Sequence, residues 1–202
     1  MSDLFHAHSP ARLLPEGDYG LEGAAGVRAQ AVTGLAAATL VARRGQTAAL
    51  RAACAAAGLP LADAPRASSG AGLEAVGTGP GRWLIFAEGL SGRELRARLE
   101  GLSAGLAAVT DQSDANLVLD ISGARAREAL MKGVTVDLDP AAFQTSDAAT
   151  TIVSHVGVTF WQRDAAPTFR FVVGNSFAPA FLRWLGASAA EFGFALSGTG
   201  RG

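Results

Sequence analysis

Few residues in this 202-residue chain have both the type and the spacing that chemistry needs. The histidines are His6, His8 and His155, and the one cysteine is Cys54. A tetrahedral metal centre needs three or four ligands brought together. His6-x-His8 has no third ligand nearby and lies in an irregular stretch, so no metal is expected there. His155 falls in an alternating run, on the more polar side with Thr159 and Trp161. That position suits a hydrogen-bonded structural or interface histidine better than a catalytic one. Cys54 lies on the apolar side of a predicted helix, where a thiol is buried and inert. Carboxylates cluster at Asp111/Asp114 and Asp137/Asp139, and both clusters fit turn and cap roles better than a general acid/base pair. Gly77-Thr78-Gly79-Pro80-Gly81 has the glycines of a nucleotide loop. Its spacing is not G-x-G-x-x-G, and a strand follows where a helix should, so it reads as a hairpin turn. No nucleophile elbow, phosphate loop, H-E-x-x-H or Cys-x-x-Cys occurs.

Composition narrows the classes further. Hydrophobic residues make up 49% and charged residues 17% of the sequence, a globular balance. With 17 basic and 18 acidic residues the net charge is −1, which offers no excess to hold nucleic-acid phosphates. One cysteine excludes an internal disulfide and a cysteine metal cluster. The opening MSDLFHAHSPARLLPEG lacks the basic start and apolar run of a signal peptide. The longest apolar stretches are alanine-rich and interrupted, too weak for a membrane span. A cytoplasmic location is the expectation.

The elements that must position these residues follow from periodicity. Thr47 to Ala57 reads as a helix with Leu50, Ala53, Cys54 and Ala57 on one face, stopped by Gly58 and Pro60. Ser91 and Glu94 form a predicted capping box, with Leu90 and Leu95 as its staple, ahead of an apolar stripe at Leu95, Leu99 and Leu102. Asp111 to Asp114 is a polar turn, residues 117 to 121 a strand, and Ala126, Ala129 and Leu130 one face of a helix ending at Lys132-Gly133. Thr150 to Trp161 reads as one long strand, and Phe169 to Val173 as the strand that returns. Phe177, Phe181, Trp184 and Leu185 line a further helix, with Pro179 in its first turn and Gly186 at its end.

Two segments match in pattern. WLIFAEGLSGRELRARL (83 to 99) and FRFVVGNSFAPAFLRWL (169 to 185) are each aromatic strand, Gly-containing cap and helix. LVARRG (40 to 45) and VLDISG (118 to 123) match upstream of them. The predicted fold class is α+β, with two ferredoxin-like lobes whose antiparallel sheets carry helices on one face. The predicted organisation is an irregular N-terminal arm over 1–33, a first lobe over 34–105, a second over 106–193 and a C-terminal tail over 194–202. The arm carries Leu4, Phe5, Leu13 and Leu14 among its glycines and prolines, and these need a cover. Either the arm lies on its own lobe or it packs on another chain.

The stretch from Thr110 to Leu138, with its D-x-S turn, a strand ending I-S-G and the helix A-R-A-R-E-A-L, resembles the opening module of the aminomethyltransferase (glycine-cleavage T-protein) superfamily. Together with the blocks over 150 to 192 and the ending S-A-A-E-F-G at Ser188 to Gly193, it is most similar to the gamma subunits of heterotetrameric sarcosine oxidase. The resemblance implies a fold like the first part of the T-protein. It also implies a noncatalytic subunit, partnered by alpha, beta and delta subunits, with alpha as the main contact. FAD, FMN, NAD, tetrahydrofolate and zinc would all reside in those other subunits, and none in this chain. In aminomethyltransferases the strand matching Val156 to Gln162 carries a catalytic acid; here it reads V-G-V-T-F-W-Q, without a carboxylate. Asp164 lies beyond it, in the apparent turn, and does not inherit the role.

The expected function is therefore support of oxidative demethylation of sarcosine to glycine, with no catalytic, cofactor-binding or metal-ligating residue in this chain. Leu4, Phe5, Leu13, Leu14 and Trp161 are the candidate interface residues. Two other readings stand beside it. One is a subunit of a related complex such as N-methylglutamate dehydrogenase. The other is a free-standing folate-binding, one-carbon transfer protein.

Overall fold

The computed structural model is described over residues 13–199. Two short strands come first, β1 (Gly17–Tyr19) and β2 (Val27–Ala31). The chain then builds the same series of elements twice, in two compact units.

The first unit holds Gly34–Ala115 and Ser146–Ala149. Its strands are β3 (Leu35–Ala42), β4 (Ala67–Gly70), β5 (Leu73–Gly79), β6 (Arg82–Glu88) and β7 (Ala107–Asp111). They pair antiparallel in the order β4-β5-β6-β3-β7. Helices α1 (Thr47–Ala56) and α2 (Gly92–Ser103) follow β3 and β6. Setting β4 aside, this is the β-α-β-β-α-β order of a ferredoxin-like lobe. Period-2 alternation sends Ala36, Ala38 and Leu40 of β3, with Trp83, Ile85 and Ala87 of β6, into one core. Leu50 and Cys54 of α1 and Leu95 and Leu99 of α2 close it from above. The Trp83 indole donates to the Ala62 carbonyl at 2.8 Å, which satisfies the one polar atom that this ring buries. The capping box forms as expected. Glu94 N donates to Ser91 Oγ, and Ser91 N donates to Glu94 Oε2 at 2.7 Å. The Ser91 hydroxyl, which donates to Glu94 Oε2 at 2.7 Å, and then the Ser91 backbone N–H hold the Glu94 carboxyl below its ordinary pKa. The Gly77–Gly81 loop is indeed a hairpin turn, with a bulge at Gly77/Gly79.

The second unit holds the residues up to Thr33, Asn116–Thr145 and Thr150 onward. Its elements are β8 (Asn116–Ser122), α3 (Ala126–Met131), β9 (Ala148–Val153), β10 (Val156–Gln162), β11 (Phe169–Gly174), α4 (Ala178–Ala189) and β12 (Phe194–Ser197). The sheet order is β1-β12-β2-β8-β11-β10-β9. It matches the first unit strand for strand, with two additions: β1 lies outside β12, and β2 is inserted between β12 and β8. Strand β2 runs parallel to β12 and antiparallel to β8. The helix-side core is aromatic. Phe160 and Phe171 stack with centroids 4.7 Å apart, Phe143 lies on Phe160 at 5.3 Å, and Phe181 of α4 meets Phe171 at 5.5 Å. Each such pair adds roughly 0.5–1.5 kcal/mol beyond its buried area.

Several expectations are corrected here. Residues 13–33 are not an irregular arm: they supply β1 and β2 to the second lobe's sheet. The boundary between lobes falls after Ala115, not after 105, because β7 pairs with β3 from Ala38↔Asp111 to Ala42↔Ala107. Residues 194–197 are not tail but β12, paired on both sides. The long strand over 150 to 161 is a hairpin, turning at Ser154 (φ 45°) and His155 (φ 73°). No Gly, Asn or Pro marks that turn, so the β-rich run reads as continuous. Helix α4 passes through Gly186, which is buried, and runs on into a 3-10 turn at Ala190–Phe192. The repeat holds as predicted: 83–99 and 169–185 are both strand then helix, at corresponding places in the two sheets.

Gly133, just past α3, lies against the indole of Trp184. A Cβ there would sit 2.6 Å from the ring. Gly133→Ala should therefore destabilise the protein by about 1–3 kcal/mol through overpacking, read from the denaturant midpoint. An unchanged midpoint would show that the indole is not held there.

Candidate functional site

The residues singled out for chemistry occupy structural posts. Asp111 Oδ1 accepts from the backbone N of Ser113 at 2.9 Å and from its hydroxyl at 2.7 Å. The backbone and hydroxyl donors of Ser113 hold the Asp111 carboxyl below the usual aspartate range. Ser113 in turn receives Ala37 N at 3.1 Å, so the D-x-S turn pins the end of β7 to β3. Asp137 and Asp139 each accept a backbone N–H two residues on, at 2.9 and 2.8 Å, as turn residues do. Asp164 accepts from the N–H of Ala166 at 3.0 Å and of Thr168 at 2.7 Å. Burial pushes its carboxyl up, but the hydrogen bonds from Thr168 and Ala166 outweigh this and leave it lowered. Cys54 is buried against the first lobe's core, and burial pushes its thiol up, away from the reactive thiolate. His155 sits exposed at the hairpin tip, not on a strand face. His6 and His8 lie outside the described residues. Among the described residues no three His, Cys, Asp or Glu side chains are grouped to hold a metal ion.

The interface candidates divide in the same way. Trp161 is fully buried, and Leu14 is 1% exposed; each is covered within the fold. Leu13 is half-buried. Leu4 and Phe5 lie outside the described residues.

The polar chemistry that the structure does gather is on one face of the second lobe's sheet. Residues paired across strands share a face. The register places Ser197, Gln30, Asp120, Arg170 and Trp161 in one row across five strands. Asp18, Ala195, Arg28 and Ser122 form the row beside it. Phe160, Phe171, Leu119 and Ile121 lie on the opposite, helix-covered face, as alternation requires. Arg170 grips Asp120 through two parallel hydrogen bonds, Nε to Oδ1 and Nη2 to Oδ2, each 2.7 Å. Arg163 adds a third at 3.0 Å to Oδ2. The Arg170 side chain is only 4% exposed, and this bidentate pair compensates its guanidinium for lost solvent. A shallow recess of about 270 Å³ opens on the same face, between Arg28, Ser122, Thr168 and Ser197. On the helix-covered face, Arg127 lies over the Phe169 ring at 5.2 Å and reaches Gln162 Oε1 at 3.3 Å.

None of this cluster stands out in the sequence. Asp120, Arg163 and Arg170 are far apart and match no motif. Arg28 and Gln30 were obscured with the rest of β2. Alternation was the available signal: Val27, Ala29 and Ala31 are buried while Arg28 and Gln30 are exposed. No carboxylate stands on β10, so an acid/base role on that strand has no candidate.

Removing one member of a buried ion pair leaves the other uncompensated. Asp120→Ala should cost about 3 kcal/mol in urea unfolding, and Asp120→Ala/Arg170→Met should recover most of it. A single-mutant cost under about 1 kcal/mol, as for surface pairs, would contradict this role.

Comparison with curated protein sequences returns no match. Among solved structures, a chain of the heterotetrameric sarcosine oxidase from Corynebacterium sp. U-96, in complex with pyrrole 2-carboxylate, is similar at 26% identity and a TM-score of 0.73. The match covers 86% of this chain and 88% of that one. The glycine cleavage system aminomethyltransferase T from Bartonella henselae is similar at 15% identity and a TM-score of 0.60, which establishes a shared fold. The match covers 86% of this chain but 48% of that one, so this chain spans about half the aminomethyltransferase's length. The pattern of the sarcosine oxidase gamma subunit family matches residues 40–191, and the chain belongs to that family.

Proposed function

We propose that this chain is the noncatalytic gamma subunit of a heterotetrameric sarcosine oxidase. In that role it supports oxidative demethylation of sarcosine to glycine by packing on the larger subunits. The observation that carries the reading is the near end-to-end likeness, over 86% of this chain, to a chain of a heterotetrameric sarcosine oxidase. The site geometry supports it. Each candidate acid with a described hydrogen-bonding role anchors a turn, the thiol is buried, and β10 lacks a carboxylate.

The partners are alpha, beta and delta subunits, with the alpha subunit as the main contact. FAD, FMN, NAD, tetrahydrofolate and zinc belong to those partners, and the assembly works in the cytoplasm. No helix among the described residues is long and apolar enough to cross a membrane. Leu21, Met131, Ile152 and Phe177 are each more than half exposed. Such side chains suit a permanent interface, which is large and core-like. Leu4 and Phe5 join them as proposed contacts by residue type, with Leu13 at their edge.

The test is co-expression with the three partner subunits, together with titration of tetrahydrofolate into the purified chain. The chain should co-purify stoichiometrically. Alone, it should be free of flavin absorbance and give no folate-binding heat. A stable monomer that never associates, or one that binds folate stoichiometrically, would overturn the subunit reading.

A further inference from the structure

Charge on the polar face of the second lobe is unbalanced at Arg28. Asp120 is already committed to Arg170 and Arg163. Two guanidiniums therefore share one carboxylate. Arg28 stands across from Ser122 on one side and Ala195 on the other, with no carboxylate opposite. Asp18 is the acid in the same row, one strand beyond Ala195. Two strand spacings separate the two backbones by roughly 9–10 Å, so Asp18 is not placed directly opposite exposed Arg28.

The surroundings are those of an anion acceptor. Arg28, Ser122, Thr168, Ser197 and Asp120 line the recess, Gln30 adds an amide, and the Asp120 carboxylate is taken up by Arg170 and Arg163. The neighbours in the row are small, so nothing bulky covers the guanidinium. We infer that this recess takes an acidic side chain, Asp or Glu, from a partner subunit, with Arg28 as its bidentate clamp. A small-molecule ligand fits less well. Such sites are mostly apolar and roughly 300–1,000 Å³, whereas this recess is about 270 Å³ and lined mainly by polar residues. The net charge of −1 leaves no basic excess to hold nucleic-acid phosphates. Arginine is also among the residues enriched in protein–protein interfaces. The inference rests on the subunit reading above, because it needs a partner to supply the carboxylate.

The experiment is an affinity measurement between the full chain and the co-expressed assembly of the other three subunits, at low and physiological salt. Arg28→Ala should weaken association about tenfold, and Arg28→Glu about a hundredfold, with the salt dependence reduced in both. Arg93→Glu makes the same charge change on exposed α2 of the first lobe and should bind as the natural chain does. Circular dichroism checks that each variant is folded. If Arg28→Glu is not folded, Arg28→Gln is read in its place. An assembly that binds Arg28→Ala and Arg28→Glu as tightly as the natural chain overturns this inference and leaves the subunit reading intact. A natural chain that does not bind the assembly overturns both.

Discussion

The backbone hydrogen bonds of β2 hold the second lobe's sheet together. In the first lobe the opening strand of the series, β3, pairs directly with the closing strand, β7. In the second lobe the corresponding strands, β8 and β12, never touch. Arg28↔Ser122 through Ala31↔Leu119 join β2 to β8, and Phe194↔Val27 through Ser197↔Gln30 join it to β12. Buried backbone groups must be paired. Without this five-residue strand, two interior strands would each lose a ladder. Its placement also explains the glycines around it. A Cβ on Gly26 would meet the Phe192 carbonyl oxygen at 2.6 Å, and one on Gly123 would meet the Gly26 carbonyl oxygen at 2.3 Å. The chain enters β2 through a gap that only glycine leaves open.

That one insertion makes two copies of a fold unlike each other. The helix side of the second sheet remains a lobe core, with the Phe143, Phe160, Phe171 and Phe181 stack. The other side gains Arg28 and Gln30 from β2, next to Asp120 and Arg170. The chain thus keeps the aminomethyltransferase fold, gathers Arg28, Gln30, Asp120 and Arg170 on one face of its second sheet, and has no carboxylate on β10.

Much of the fold was legible in the sequence where local signals and burial agree. The Ser91/Glu94 capping box, the α1 face at Leu50 and Cys54, the Gly77–Gly81 hairpin and the repeat all appear as read. What escaped has physical causes. β2 is short and alanine-rich, among glycines that report close backbone approach rather than loop. The turn at Ser154-His155 uses left-handed backbone at residues that seldom adopt it, so no punctuation marks it. The Asp120, Arg163 and Arg170 cluster depends on strand order, which periodicity does not encode. Trp161 looked like an exposed strand aromatic, but it pairs across strands with Arg170 and is wholly buried. The family was legible because the D-x-S turn and the I-S-G strand end are local.

Native-state hydrogen exchange over Val27–Ala31 tests the central claim, that a strand read as part of an arm is an interior strand of the second lobe. The account predicts that amides of β2 are protected as strongly as those of β8 and β11, and exchange only with global unfolding. Exchange of β2 amides at the rate of a frayed terminus, while β8 stays protected, would contradict it.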